Sequence, residues 1–184
     1  MAEFKPDPGY FKNTDYPLLW PKHNQHVRTL ESELIKRFPQ LEGCIKIGHG
    51  ADTDKLLKIP PEFKYEPDLR LYFDYKPFCY IEVSGSGKIY MPQDIWIKQG
   101  KIETAESLKT QYFFYMVYNN EIRVISIQTA QKYKEKMMVK YLKTNKTTGK
   151  KIAEKFCAVP YGESQPTEQM FGWLEEKLNS YKHA

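Results

Sequence analysis

The sequence predicts a mixed α/β domain in which a central sheet of about five strands carries helices packed against it. Its 184 residues are the length of one domain, and 41% of them are hydrophobic, which is enough for one core. Apolar residues recur with helical periodicity near both ends of the chain, which predicts helices there. Between them, polar and apolar residues alternate, which predicts strands. We therefore interpret 1–184 as a single domain.

Composition divides this domain into three stretches. Residues 1–22 are rich in proline and aromatic residues, which predicts an extended arm whose rings pin onto the domain. Residues 24–128 contain most of the predicted elements and form the core. Residues 129–184 are a lysine-rich segment that ends in an amphipathic helix. The apolar face of that helix can pack into the core or form the surface of a homodimer.

The predicted elements follow from periodicity and from the residues that interrupt it. Helical spacing of apolar residues marks three segments: 24–38, which Pro39 stops, 101–109 and 167–181. Five segments are predicted as strands: 68–73, 78–84, 94–98, 111–118 and 121–128. The first two of these strands form a β-hairpin across the turn at 74–77, and the last two pair across Asn119-Asn120.

One acidic residue of the first helix lies on its apolar side. At about 100° per residue, Glu31 falls inside the stripe of Val27, Leu34 and Phe38, whereas Glu33 falls well outside it. A carboxylate that faces a core costs several kcal/mol unless a cation or a hydrogen-bond donor meets it. Glu31 therefore either forms a salt bridge to a nearby Arg or Lys, or has a functional role.

The hairpin brings two further carboxylates together. A turn centred near Tyr75 pairs residues whose numbers sum to about 150, so Asp68 and Glu82 lie opposite each other on one face. Their Cβ atoms are then about 4.5–5.5 Å apart, and two like charges at that distance need a cation between them. Hard carboxylate oxygens suit Mg²⁺ or Mn²⁺, so we expect Asp68 and Glu82 to bind that metal. A surface hairpin with solvated carboxylates is the alternative.

Three segments around these carboxylates resemble a known nuclease core: Arg28-Thr-Leu-Glu-Ser-Glu-Leu-Ile-Lys-Arg-Phe, Glu66-Pro-Asp-Leu-Arg-Leu and Cys79-Tyr-Ile-Glu-Val-Ser. They are similar to motifs of the PD-(D/E)xK, or restriction-endonuclease-like, superfamily, and most similar to those of archaeal Holliday-junction resolvases. The resemblance covers 24–128 and implies a restriction-endonuclease-like fold. It also implies a metal-dependent nuclease that hydrolyses phosphodiester bonds, with DNA as the expected substrate. By position, Glu31 matches the carboxylate that supports the metal, Asp68 the residue that bridges metal and phosphate, and Glu82 the acid of the acidic-x-Lys motif.

One position departs from that pattern. The superfamily has a lysine two residues after the acid, where it positions the attacking water and offsets developing negative charge, and this chain has Ser84 there. Three other lysines could supply the cation: Lys88, Lys98 and Lys101. We expect Lys101, before Lys98, to lie within a few ångströms of the Asp68 and Glu82 carboxylates.

Three functions are compatible with these residues. A lysine near the two carboxylates favours a nuclease that uses Mg²⁺ or Mn²⁺. Without that lysine, the chain is expected to be a non-catalytic nucleic-acid-binding protein with a degenerate nuclease fold. A third hypothesis is an acidic pocket for a small phosphorylated ligand.

The lysine-rich segment is the expected contact surface for a nucleic-acid backbone. Between 132 and 155 the chain has nine lysines against two glutamates, and its formal net charge is +5. A flexible, polar loop at 143–151 is suited to phosphate contacts. We expect such contacts from five lysines: Lys88, Lys143, Lys146, Lys150 and Lys151. A solvated lysine-rich face without a partner is the alternative.

Cysteine usage and hydropathy bear on where the protein resides. Its three cysteines are scattered and form no CxxC pair, so we expect them to be reduced. No run reaches the ~20 apolar residues that a membrane span requires, and the first twenty residues do not have the pattern of a signal peptide. We therefore expect a soluble, cytoplasmic protein that does not interact with a membrane.

Overall fold

The structure of the protein is a computed structural model that describes residues 16–48, 66–86, 90–136, 138–144 and 151–182. Within these ranges the helices are α1 (Tyr16–Arg37), α2 (Gln99–Leu108), α3 (Ile127–Tyr133) and α4 (Thr167–Lys182). The strands are β1 (Ile45–Ile47), β2 (Leu69–Phe73), β3 (Lys76–Ser86), β4 (Ile95–Lys98), β5 (Gln111–Tyr118), β6 (Ile122–Ser126), β7 (Met138–Thr144) and β8 (Lys151–Val159). Short 3-10 helices lie at Pro39–Leu41 and Tyr161–Glu163.

Among the described residues, the strands form a large sheet and a small sheet. The large sheet has the order β1-β2-β3-β5-β6, in which β3 and β5 are parallel and all other neighbours are antiparallel. The small sheet has the antiparallel order β4-β8-β7. Between β3 and β5 the chain forms β4 and α2, which provide the crossover that a parallel pair requires. The predicted mixed α/β class, with a five-stranded mixed sheet flanked by helices, is confirmed.

The large sheet is covered on both faces by apolar side chains. One face packs against α1 and α4, and the other packs against α2, α3 and the inner face of the small sheet. Side chains alternate along a strand, so Ile81 and Val83 of β3 face α1 and α4, whereas Tyr80 and Glu82 face the layer that contains α2. This alternation places a carboxylate between two packed layers.

Two predicted strands differ from those in the structure. The segment 94–98 is β4 of the small sheet, and the fifth strand of the large sheet is instead β1, at its edge. Alternation identifies a strand but not its partner, and the partner of β4 is β8, in a segment where we predicted only a lysine-rich stretch. The predicted strand 121–128 ends at Ser126, because the Ser126 side chain accepts a hydrogen bond from the Thr129 N–H at 3.2 Å and caps α3.

The lysine-rich segment is largely an antiparallel hairpin. Strand β7 ends at Thr144 and β8 begins at Lys151, so most of the predicted flexible loop at 143–151 connects two strands. Residues 145–150 lie outside the described residues. The hairpin joins the domain through the pairing of β8 with β4.

The first helix begins earlier than the sequence predicts. Helix α1 starts at Tyr16, so the end of the arm predicted at 1–22 is helical, and 1–15 lie outside the described residues. Pro17 is tolerated there because the N–H groups of a first helical turn have no partner within the helix. The helix ends at Arg37, shortly before Pro39, as predicted.

The C-terminal helix α4 belongs to the core. Met170, Phe171, Leu174 and Leu178 are buried in the same cluster as α1 and the facing side of the large sheet. This packing accounts for the apolar face of α4 without a second copy of the chain. Within the described part of the chain, no helix is long and apolar enough to cross a membrane.

We expect Leu174→Ala to reduce the free energy of unfolding by about 2–5 kcal/mol, because Leu174 is fully buried and its truncation leaves a cavity. Urea unfolding followed by circular dichroism measures this loss. The exposed neighbour Glu175 provides the control, since Glu175→Ala should change stability by no more than about 0.5 kcal/mol. A midpoint that rises with protein concentration in the wild type would instead indicate that α4 forms a dimer surface.

Candidate active site

The β2–β3 hairpin has the predicted register next to the two carboxylates. Leu69 lies opposite Ile81, and the register shifts only farther along, after Leu71. One residue before Leu69, the Asp68 carboxylate accepts a hydrogen bond from the backbone N–H of Val83 at 2.8 Å through Oδ2. Asp68 is therefore fixed next to Glu82, as the hairpin arithmetic predicts.

Glu82 is a carboxylate inside the protein, with 3% of its surface exposed. Its Oε1 forms an ion pair with the Lys101 ammonium, and its Oε2 accepts a long hydrogen bond of 3.5 Å from the Tyr112 hydroxyl. A buried carboxylate is stable only when a cation and hydrogen-bond donors replace the water it has lost. Lys101 and Tyr112 provide that replacement.

Lys101 reaches Glu82 from the crossover between the parallel strands. It is the third residue of α2, and its ammonium is buried beside Glu82 although 23% of the side chain is exposed. Burial lowers the pKa of Lys101, and the negative charge of Asp68 acts against that effect. The structure brings the Lys101 ammonium to Glu82, and the role of Lys101 in catalysis stays a prediction.

Lys98 and Lys88 were the other candidates for the cation. Lys98 is the last residue of β4, where it lies on the face opposite Ile97, is half-buried and directly precedes α2. Lys88 lies outside the described residues. Of these three lysines, Lys101 is the one for which the structure gives an ion pair with Glu82.

Glu31 is half-buried on α1, which packs on the face of the large sheet opposite to the Glu82 side chain. Among the described residues, no hydrogen bond or ion pair joins Glu31 to Asp68, Glu82 or Lys101. Glu33, predicted to lie outside the apolar stripe, pairs with an arginine of the same helix at 3.0 Å. The supporting role of Glu31 stays a prediction that requires a bridging water.

The lysines predicted to bind nucleic acid lie mostly at the end of the β7–β8 hairpin. Lys143 is the register partner of Ile152 in β7 and β8, and Lys151 begins β8, but their side chains are not described. Lys146 and Lys150 lie outside the described residues. Nearer the core, Lys132 pairs with Glu163 at 3.1 Å and Lys134 pairs with Glu106 at 2.7 Å, so glutamates neutralise part of the segment's charge.

Tyr112 belongs to the site although the sequence analysis did not identify it. It lies in β5 opposite Tyr80 and is fully buried. Burial raises the pKa of Tyr112, and the negative charge of Asp68 raises it further, so its hydroxyl stays protonated and can donate to Glu82. The alternation of β5 indicates a strand, but the register of a parallel pair across a long crossover cannot be derived from alternation alone.

Two carboxylates meet at this site, and the described part of the chain contains no cluster of three or more His, Cys, Asp or Glu side chains that could hold a metal ion. Proteins often bind Mg²⁺ through one or two carboxylates, with water and substrate phosphates completing the coordination. Carboxylate oxygens are the type of ligand that Mg²⁺ and Mn²⁺ take, and in this structure the Lys101 ammonium and the Tyr112 hydroxyl contact the two oxygens of Glu82.

Comparisons with known proteins found likeness among solved structures. No protein-family model matches the sequence, and neither does any curated protein. Among solved structures, the chain is similar to Archaeoglobus fulgidus Hjc, a Holliday junction resolvase, at 13% sequence identity and a TM-score of 0.43. The match covers 80% of this chain and 97% of that chain. At that TM-score the likeness carries no argument about function, which has to rest on this chain's own residues.

We expect Lys101→Met to lower the free energy of unfolding by roughly 2–3 kcal/mol, because it leaves a buried carboxylate without its cation. The double variant Lys101→Met, Glu82→Gln should lose less than the single variant, since no buried charge remains unpaired. Urea unfolding at neutral pH measures both losses. Lys132→Met, which breaks the exposed pair with Glu163, is the matched control and should cost less than about 1 kcal/mol. Equal losses in the single and double Lys101 variants would contradict a coupled, buried pair.

Proposed function

We propose that the protein is a metal-dependent nuclease that hydrolyses phosphodiester bonds of nucleic acid, with DNA as the expected substrate. The observation that carries this proposal is the ion pair between Lys101 and buried Glu82, with Asp68 fixed beside them. In this proposal these three side chains would take the places of the two acids and the lysine of the PD-(D/E)xK pattern that the sequence resembles. The lysine would come from α2, which contains Lys101, instead of from the position that Ser84 occupies.

Each side chain has a definable part in that reaction. In hydrolysis, the oxygen of a water molecule bonds to phosphorus and the water releases a proton, while the bond to the leaving oxygen breaks and that oxygen acquires a proton. Negative charge builds on the phosphoryl oxygens during this step, and the Lys101 ammonium would offset that charge and orient the water. Asp68 and Glu82 would hold Mg²⁺ or Mn²⁺, which supplies a Lewis acid for the phosphate and its attacking water. Tyr112 keeps Glu82 in position by its hydrogen bond to Oε2.

Other residues are proposed to serve the same reaction from farther away. Glu31 would support the metal site through a water molecule. Five lysines would contact phosphates of the substrate: Lys88, Lys143, Lys146, Lys150 and Lys151. The β7–β8 hairpin, which carries several of them, is joined through β8 to the strand that leads directly into α2 and Lys101.

The second candidate function is a non-catalytic nucleic-acid-binding protein. The observation that favours it is the low exposure of Glu82, whose charge is neutralised by Lys101. Such a buried ion pair can stabilise the fold even if the protein catalyses no reaction. In that case the lysine hairpin would bind phosphates while the acidic site stayed inert. Cleavage by the purified protein separates the two functions.

We expect Asp68→Asn and Glu82→Gln each to lower the cleavage rate by at least about 10²–10³-fold, because each removes an anionic oxygen from the reacting centre. Nucleic-acid binding should persist. Rates are measured with Mg²⁺ and with Mn²⁺ on single-stranded, duplex and branched DNA. Glu103→Gln, an exposed glutamate of α2, is the control and should cleave at the wild-type rate. Wild-type rates in both site variants would refute the assignment.

We expect the cleavage rate to fall at alkaline pH, with a midpoint below the ordinary lysine pKa of 10.5. Burial lowers the pKa of Lys101, so the ammonium loses its proton, and with it the positive charge, earlier than an exposed lysine does. Rate profiles from pH 7 upward measure the midpoint. In Lys101→Arg, the fall in rate should move to higher pH, since arginine stays charged. Lys109→Arg, on the surface, should leave the midpoint of that fall unchanged. An unchanged midpoint in Lys101→Arg would exclude Lys101 as the titrating group.

A further inference from the structure

The face of the large sheet that carries Glu82 continues beyond the candidate active site as a row of side chains. Register pairs Lys46 with Arg70, Arg70 with Tyr80, and Tyr80 with Tyr112, so these four lie side by side across β1, β2, β3 and β5. The row lies two residues along the strands from Asp68 and Glu82, a step of about 6.6 Å. That step is of the order of the distance between neighbouring phosphates of a nucleic-acid strand.

Exposure increases along this row toward the edge of the sheet. Tyr112 and Tyr80 are buried, the Arg70 side chain is 28% exposed, and Lys46 on the edge strand is exposed. The Lys46 ammonium lies 5.0 Å from the centre of the Tyr72 ring. Two cations, Lys46 at the edge and then Arg70, therefore lie between solvent and the buried Glu82 carboxylate. Arg70 is two residues from Asp68.

Arg70 has hydrogen-bonding capacity that the described residues do not satisfy. Its guanidinium forms an ion pair with Glu66, but its buried Nε has no hydrogen-bond partner among them. A guanidinium has five N–H donors in a planar fork that matches the oxygens of a phosphate. Nε itself is buried, so a phosphate from outside would be bound by the other N–H groups of this guanidinium, whose side chain is 28% exposed.

We propose that Arg70 and Lys46 bind a phosphate next to the one that is cleaved, so that the substrate strand crosses β2 and β1 on its way to Asp68 and Glu82. This inference rests on the proposed nuclease function. The Glu66 carboxylate pairs with Arg70 in the free protein, and a substrate phosphate replaces that carboxylate when substrate binds. Strands β7 and β8 belong to the other sheet, so the lysines of that segment would form a separate contact surface.

The direct test measures the affinity of a labelled DNA duplex in EDTA, so that cleavage is suppressed, over a series of NaCl concentrations. For Lys46→Ala and for Arg70→Gln, affinity should fall and the slope of log K against log salt should become shallower by about 0.9 per lost contact. Lys36→Ala is the control, because Lys36 is an exposed lysine of α1, on the other side of the sheet. It should leave the slope unchanged. Lys46→Ala keeps the test valid if Arg70→Gln does not fold.

Glu66→Gln separates a binding role from a structural one. It removes the carboxylate that competes for Arg70, so the variant should bind the duplex more tightly than the wild type. Glu33→Gln makes the same charge change next to Arg37 on α1 and should leave affinity unchanged. If Arg70 and Glu66 serve only the fold, Glu66→Gln lowers stability without tightening binding.

The outcomes distinguish this inference from the function on which it rests. If the wild type binds and cleaves DNA, but Lys46→Ala and Arg70→Gln behave like Lys36→Ala, the phosphate subsite is wrong and the nuclease stands. If the wild type does not bind DNA at low salt, both are wrong. The subsite is established if the slope of log K against log salt becomes shallower in Lys46→Ala and Arg70→Gln but not in Lys36→Ala.

Discussion

The burial of Glu82 in the middle of β3 is the constraint on which the rest of the site depends. A carboxylate under a helix requires a cation and hydrogen-bond donors, and the chain supplies them from separate elements. Helix α2 provides the Lys101 ammonium, and β5 provides the Tyr112 hydroxyl. Asp68 is held alongside by the backbone N–H of Val83. The crossover from β3 to β5 therefore closes the core and at the same time brings a lysine to the acids.

The two faces of the large sheet differ in the side chains that they carry. The face toward α1 and α4 is apolar and includes Leu69, Ile81 and Val83, so it contributes to the stability of the domain by hydrophobic burial alone. The other face carries Asp68, Glu82 and the row that leads to Lys46, and it is where charged groups meet solvent. The period-two alternation of β2 and β3 separates these two sets of side chains within single strands. A substrate that approaches from the β1 edge would meet cations first and carboxylates last.

Local sequence patterns were sufficient to predict the β2–β3 hairpin and the position of Lys101 near Glu82. The pairing of Asp68 with Glu82 follows from the turn and the alternation, and Lys101 follows from the short path through β4 into α2. Long-range pairing could not be obtained in the same way. The register that brings Tyr112 to Glu82 depends on a parallel pair across a crossover, and the partner of β4 lies far along the chain in β8. The early start of α1 was missed because the proline and aromatic content of 1–22 was interpreted as an extended arm, whereas α1 contains both Pro17 and Pro21.

The measurement that tests the central claim most directly is a cleavage assay of the purified wild-type protein, with product mapping on labelled DNA, in Mg²⁺ and in EDTA. The account predicts products with Mg²⁺ or Mn²⁺ and none with EDTA, from at least one of the single-stranded, duplex or branched substrates. Salt-sensitive binding without cleavage of any substrate in either metal would contradict it. That result would assign the Asp68, Glu82 and Lys101 cluster to the fold of a nucleic-acid-binding protein.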